Sequence, residues 1–274
     1  MRYFCTVSDK NYLSKGIALY DSLNSANREF ILFYLCLDDI TYNFLEKKNY
    51  TGLMPYNLKH IKAPPKNKFS NHTDFCYSMA SYFTNWLMEN VPRESIAYLD
   101  SDLYFYQDYE CIFDEIKNKS IGIIEHRIPT YANVGKYNVG IVYFRNDRYG
   151  NKCLKRWRDL LLNPDNKYVP EYGNCGDQKY LELFPKWYKS KVHIINCGHG
   201  AWWNNRFYRF DKQDIIWNGK RQKLIFMHYS KFELNGTTYK HNEMTAMPNE
   251  LKEYYDHYYK IIKDNESMLR NDSV

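Results

Sequence analysis

Several absences narrow this 274-residue sequence before any motif is considered. No apolar run approaches the roughly 20 residues that cross a bilayer as a helix. The opening Met1-Arg2-Tyr3-Phe4-Cys5-Thr6-Val7 breaks into Ser8-Asp9-Lys10 before a signal-peptide core can form, so a cytoplasmic protein is expected. No C-x-x-C pair occurs among the seven cysteines, and their number is odd. That argues against a disulfide framework or a zinc ribbon and for buried thiols in a reducing compartment. No H-E-x-x-H or comparable histidine spacing supports a zinc hydrolase. Arginine-rich blocks are also missing. The 38 Lys+Arg and 32 Asp+Glu leave a net charge of +6 spread along the chain, and nucleic acid is not an expected partner.

What is present describes a folded α/β protein. Hydrophobic residues make up 44% and aromatics 18%, with charges of both signs interspersed, which suits a substantial core rather than disorder. Short apolar runs alternate with helical periodicity, predicting one α/β domain with a Rossmann-like, mostly parallel mixed sheet flanked by helices. The expected strands are Tyr3 to Val7, Phe30 to Leu37, Ile96 to Leu99, Ile121 to Ile124, Gly140 to Phe144, Val192 to Ile195 and Leu224 to Met227. The clearest helix spans Asp74 to Asn90, where Phe75, Met79, Tyr82, Phe83, Trp86 and Leu87 share a face. Further helices are expected after Asn11, over Lys152 to Leu162 and over Asp177 to Phe184.

Past Pro248, Leu251, Tyr254, Tyr255, Tyr258, Ile261 and Ile262 form an aromatic stripe on a terminal helix. Two readings of that stripe stay open: packing on the domain, and peripheral contact with a membrane surface.

Candidate chemistry begins at Tyr98-Leu-Asp-Ser-Asp-Leu-Tyr-Phe105. A short apolar strand delivers Asp100 and Asp102 to its C-terminal end, the edge at which open α/β sheets bind ligands. Two carboxylates converging at a strand end suit one hard cation. They equally suit a turn and a helix cap.

Other segments recur in order around this one: Thr6 to Leu13 with Gly16 to Leu23, then Tyr137 to Asn146, Gly176 to Phe184, Asn196 to Asn205 and Leu224 to Phe232. Together they resemble the GT-A glycosyltransferases, especially bacterial enzymes similar to glycosyltransferase family 8. The resemblance implies a GT-A domain over residues 1–248. Within it lie a nucleotide-binding half, 1–106, and an acceptor and closing half, 120–248, with a C-terminal amphipathic helix and tail at 249–274. It implies transfer of a hexose-type sugar from a nucleotide diphosphate donor, commonly a UDP-sugar, to a glycan or lipid-linked glycan acceptor, with retention of configuration.

Carried over residue by residue, the likeness assigns Thr6 and Asp9 to the base or ribose, and Asp100, Asp102 and His228 to the metal. It places Asn138 and Gly140 near the donor sugar and Lys231 on the diphosphate. Asp177 and Gln178 stand opposite the transferred sugar, although Asp177 alone also reads as a helix N-cap. An imidazole beside two carboxylates suits Mn²⁺, with Mg²⁺ as the alternative, better than Ca²⁺. Trp202 and Trp203 read either as packing residues or as sugar-stacking aromatics. The sequence departs from family 8 at Met79 to Trp86, which lacks the arginine often placed near the donor, and at Ser230-Lys231-Phe232, which is shorter than the usual closing run. Two alternatives stand beside this reading. A sugar-nucleotide nucleotidylyltransferase needs a glycine-rich loop that Thr6 to Tyr12 lacks. A non-catalytic nucleotide-sugar or carbohydrate-binding module is compatible with the same fold.

Overall fold

The computed structural model describes residues 1–128, 135–163, 176–241, 247 and 249–272. Pro248, taken above as the lead-in to the terminal helix, lies outside these residues. The chain divides into two compact units, each drawn from separated stretches of sequence: Met1–Lys10, Arg28–Asp100 and Asp114–Ile195 form the first, and Asn11–Asn27, Ser101–Phe113 and Asn196–Val274 the second. Strands and helices are numbered along the chain.

The first unit holds a seven-stranded sheet of β1 (Arg2–Ser8), β2 (Phe30–Cys36), β3 (Leu53–Asn57), β4 (Ser95–Leu99), β6 (Ile121–Glu125), β7 (Tyr137–Arg145) and β8 (Val192–Ile195), in the order β3-β2-β1-β4-β7-β6-β8. All neighbours are parallel except β7, which runs antiparallel to both β4 and β6. The expected mostly parallel mixed sheet is therefore present, flanked by helices. Its central strands are near-continuous apolar runs such as Phe-Ile-Leu-Phe-Tyr-Leu-Cys in β2, which bury both faces.

Among the described residues, four α-helices lie wholly in this unit: α2 (Asp39–Lys48), α3 (His72–Asn90), α5 (Arg148–Leu162) and α6 (Leu183–Tyr188). On α3, Phe75, Met79, Phe83 and Leu87 are buried in one cluster with Cys5, Phe33 and Leu35 from β1 and β2. Each such side chain contributes about 1.5–3 kcal/mol by leaving water. The helix begins at His72, two residues before its expected start, because the Asn71 side chain caps it by accepting from the Asp74 amide at 2.8 Å. Likewise α5 starts a turn early, where Asp147 accepts from the amides of Tyr149 and Gly150. A Cβ on Gly150 would meet the Arg145 carbonyl oxygen at 2.0 Å, so this tight entry requires glycine. The single helix expected over Asp177 to Phe184 is instead a 3-10 turn, Gln178–Glu182, followed by α6. Pro185, which cannot donate an amide, sits in the first turn of α6, where that donor is not needed.

The second unit contains α1 (Leu13–Asn24), β5 (Leu103–Phe105), β9 (Gly198–Ala201), β10 (Arg209–Asp211), β11 (Asp214–Trp217) and β12 (Lys220–His228). A two-stranded ribbon of β13 (Glu233–Asn235) and β14 (Thr238–Lys240) follows, then α7 (Asn249–Asp272). Helix α4 (Glu110–Ile116) contains the boundary between the units. Strand β12 organises the second sheet, pairing antiparallel with β11 and β5 and parallel with β9. The β9 pairing shifts register between Leu224 and Phe226. Gly198 allows the close approach there, since a Cβ on it would strike the Lys223 carbonyl oxygen at 1.9 Å.

The terminal stripe resolves its two readings in favour of packing. Leu251, Tyr255, Tyr258 and Ile262 are at most 2% exposed and belong to the core of the second unit, so this face is not available to a membrane surface. Tyr258 stacks on Tyr229 with ring centroids 3.7 Å apart and planes 5° from parallel, and the Asn265 side-chain amide donates to the Ser14 carbonyl at 2.9 Å. Replacing Tyr258 with alanine is expected to destabilise the protein by about 3–5 kcal/mol, the usual cost of deleting a buried aromatic ring, as read by urea unfolding. A cost below about 1 kcal/mol would mean that α7 is a dispensable appendage. No helix among the described residues is long and apolar enough to cross a membrane. The described cysteines are all free, and Cys5, Cys36, Cys153 and Cys197 are buried, which agrees with their reading as structural thiols.

Candidate active site

In the first unit, the expected donor residues gather at the C-terminal ends of β1 and β4 and on β7. Thr6 lies within β1, wholly buried, and its hydroxyl has no hydrogen-bond partner among the described residues. Asp9 follows the strand, keeps accessible surface, and contacts the His72 imidazole at 3.1 Å. Asp100 follows β4. Its amide donates to the Gly140 carbonyl at 3.0 Å, and its carboxylate accepts from the Tyr98 hydroxyl at 2.9 Å. These bonds fix both the backbone and the side chain of Asp100 before any ligand arrives.

The Asn138 side chain links two groups of expected residues. Its oxygen accepts from the Gly140 amide at 2.8 Å, while its amide nitrogen faces the Gln178 side-chain oxygen at 3.4 Å and the His126 ring at 3.3 Å. Asn138, Gly140 and Gln178 are thus in one network. Asp177, immediately before Gln178, is 7% exposed, and its carbonyl accepts from the Trp157 indole at 3.3 Å. Burial first, and the negative charge of Asp100 second, push the Asp177 carboxyl well above its ordinary range, and nearby backbone amides oppose the shift only partly. Asp177 also occupies the N-cap position of the 3-10 turn.

The second unit supplies Asp102 and His228. Register explains their meeting. The β5–β12 ladder pairs Leu103 with His228, and the Tyr229 amide donates to the Asp102 carbonyl at 2.9 Å, so the residue preceding β5 is held beside the end of β12. The His228 Nε2 lies 3.0 Å from a carboxylate oxygen of Asp102, and both residues are buried. Burial raises the Asp102 carboxyl, but the His228 charge and hydrogen bond, with Lys15, outweigh it and hold the group below its ordinary value. Trp203 contacts His228 edge-on at 5.4 Å. Lys231 follows in an exposed, left-handed conformation at φ 59°.

Asp100 precedes Asp102 by two residues, so the backbone tethers its carboxylate to the pair. Asp100, Asp102 and His228 offer two oxygens and one nitrogen, a donor set that could hold one metal ion. This mixed set fits a transition ion such as Mn²⁺ more closely than an all-oxygen cation.

Sequence reasoning missed His72, Tyr98, His126 and Lys15. The Tyr98 contact had a signal, because residues i and i+2 of a strand share a face. Lys15 carried no signal, because a lysine on a helix usually faces water.

Comparison with known proteins places this geometry on a familiar fold. No family model matches the chain. Two uncharacterised proteins of Bacillus subtilis (strain 168) are similar: YfnF, 28% identical over 250 residues covering 84% of this chain and 82% of YfnF, and YfnD, 27% identical over 244 residues covering 85% and 78%. Among solved structures, the galactosyltransferase LgtC in complex with donor and acceptor sugar analogues matches with a TM-score of 0.55 and 13% identity, covering 86% of this chain and 91% of its own. The glycosyltransferase GlyE of Streptococcus pneumoniae TIGR4 matches with a TM-score of 0.54 and 13% identity over 97% of this chain, which spans 63% of the GlyE chain. At these identities the likeness is one of fold. The central sheet flanked by helices is the GT-A architecture.

Proposed function

We propose that this chain is a metal-dependent glycosyltransferase, similar to family 8, that moves a hexose-type sugar from a nucleoside diphosphate donor, UDP by resemblance, to a glycan or lipid-linked glycan acceptor with retention. The observation that carries the reading is the buried Asp102–His228 pair at the end of an Asp-x-Asp strand. Burying two ionisable groups side by side is costly without a purpose, and such pairs concentrate at functional sites. The GT-A fold supports the reading.

The chain's residues divide the work. Asp100, Asp102 and His228 would hold the divalent ion, Mn²⁺ or Mg²⁺, which when bound acts as a Lewis acid on the leaving diphosphate. Lys231, open to solvent, adds positive charge from the end of β12. Asp9 has accessible surface with which to accept hydrogen bonds from the nucleoside. Asn138 and Gln178 brace each other, so a sugar hydroxyl meets amides already oriented, and less entropy is lost on binding. Burial and the charge of Asp100 raise the Asp177 carboxyl well above its ordinary range. Beside the sugar, its carboxyl would orient the ring and face the positive charge that develops there.

Isothermal binding of UDP, GDP and CDP, each with Mn²⁺ or with EDTA, tests the proposal. The expected result is one nucleotide bound with Mn²⁺ and released by EDTA. Binding of none under either condition overturns it.

A further inference from the structure

Lys15 has no role in the assignments above, and its setting is unusual. It sits in the first turn of α1, is only 6% exposed, and its ammonium lies 3.9 Å above the centre of the Tyr12 ring. Among the described residues no hydrogen bond or ion pair reaches its Nζ. A buried lysine without a hydrogen-bonded partner is rare, because withdrawing an ammonium from water costs several kcal/mol. The negative groups acting on it are Asp102 first and Glu233 second.

A second observation concerns the helix end itself. Tyr12 occupies the N-cap position of α1 and contributes no side-chain cap, and the first turn contains no acidic residue. The leading amides of a 12-residue helix therefore lack the side-chain acceptor that usually satisfies them, at the positive end of the helix dipole. Lysine side chains in helices lean toward the N-terminus, and the Tyr12 contact shows that Lys15 does so. An uncapped helix start and an ammonium held only over the Tyr12 ring thus lie at one end of α1.

We infer that the N-terminal turn of α1, with Lys15, is a binding site for the diphosphate of the donor. This inference rests on the glycosyltransferase reading for the identity of the ligand. It assigns the anion to Lys15 because the diphosphate is the group that a cation on Asp102 would hold, and Asp102 is the principal charge that Lys15 feels. The leading backbone amides of the turn, without a side-chain cap, and an ammonium together suit the donor needs of a phosphate. As the phosphate-sugar bond breaks, charge accumulates on the same oxygens, so Lys15 binds the product diphosphate more tightly than the intact donor.

The test compares the native chain with Lys15→Met, which keeps the length and the buried stem of the side chain while removing its charge. Binding of inorganic pyrophosphate and of UDP, GDP and CDP is measured by calorimetry with Mn²⁺, and folding is checked by thermal melting. Loss of a charge-assisted contact predicts about ten- to hundredfold weaker pyrophosphate binding. The variant should melt at or above the native temperature, since a buried charge has gone. Pyrophosphate should raise the melting temperature of the native chain and not that of the variant. Unchanged pyrophosphate affinity in a folded Lys15→Met overturns the inference while leaving the transferase reading intact. Lys15-dependent pyrophosphate binding without binding of any nucleotide supports the anion site and sinks the transferase reading. A native chain that binds neither overturns both.

Discussion

Asp177→Asn is expected to lower sugar transfer by roughly 10²–10⁴-fold, the usual contribution of a positioned ionisable group, and at the same time to stabilise the fold at neutral pH. The second effect follows from proton linkage. The folded pKa of Asp177 is raised by burial and by Asp100. At a pH below the ordinary carboxyl range, Asp177 is protonated in both states and its replacement changes little. As pH rises above that range the unfolded chain releases the proton first, so unfolding becomes more favourable, by at most about 1.4 kcal/mol per pH unit for one group, until the folded pKa is passed. The melting-temperature difference between Asp177→Asn and the native chain should therefore be near zero at about pH 4 and grow in favour of the variant toward neutrality. A difference independent of pH would show that Asp177 is not held protonated. A variant with unimpaired transfer would remove it from the catalytic centre. Gain of stability with loss of turnover is what a strained functional group should give.

The other large effect is expected at Asp102. Asp102→Asn preserves a hydrogen-bond partner for His228 but removes the anionic ligand and the charge that faces His228 and Lys15, so Mn²⁺-dependent nucleotide binding should disappear with a modest fall in melting temperature at neutral pH. Asp102→Ala removes both and leaves His228 buried beside a void, adding a stability loss of about 1–3 kcal/mol. Calorimetry with Mn²⁺ and thermal melting on the two variants separate ligation from packing. Retained metal-dependent binding in Asp102→Asn would rule out Asp102 as a metal ligand.

What could be read from the sequence follows from how each part carries its signal. The strands of the large sheet other than β3 were legible because they are apolar runs bounded by turns. Strand β3 was not, since Pro55 argues against a strand and is tolerated here only because β3 lies at the sheet edge. The short strands of the second unit, Gly-His-Gly-Ala in β9 and Arg-Phe-Asp in β10, are too short to carry a readable pattern, and pairing of β9 with β12 and of β10 with β11 makes them strands. Strand direction was not legible for β7, because antiparallel insertion leaves the residue pattern of a fully buried strand unchanged. At the site, Asp100 and Asp102 stood out as paired carboxylates at a strand end, and His228 joined them only through the resemblance of its segment to the closing strand of family 8 enzymes. The Asp102–His228 contact depends on the β5–β12 register, a non-local property. Lys15 stayed hidden, because a lysine on a helix usually faces water, and only the burial of α1 turns it inward.

The bond between Ser14 and Asn265 joins residues 251 positions apart. During synthesis at ~5–20 residues per second, α1 emerges roughly ten to fifty seconds before the helix that covers it. For that interval Ala18 of α1, which packs in one cluster with Leu251, Tyr255, Tyr258 and Ile262, lacks its final cover while the strands of the first unit can already pair. The anion-binding turn proposed for α1 is thus completed last, and nascent chains should acquire a folded sheet well before they acquire a diphosphate site.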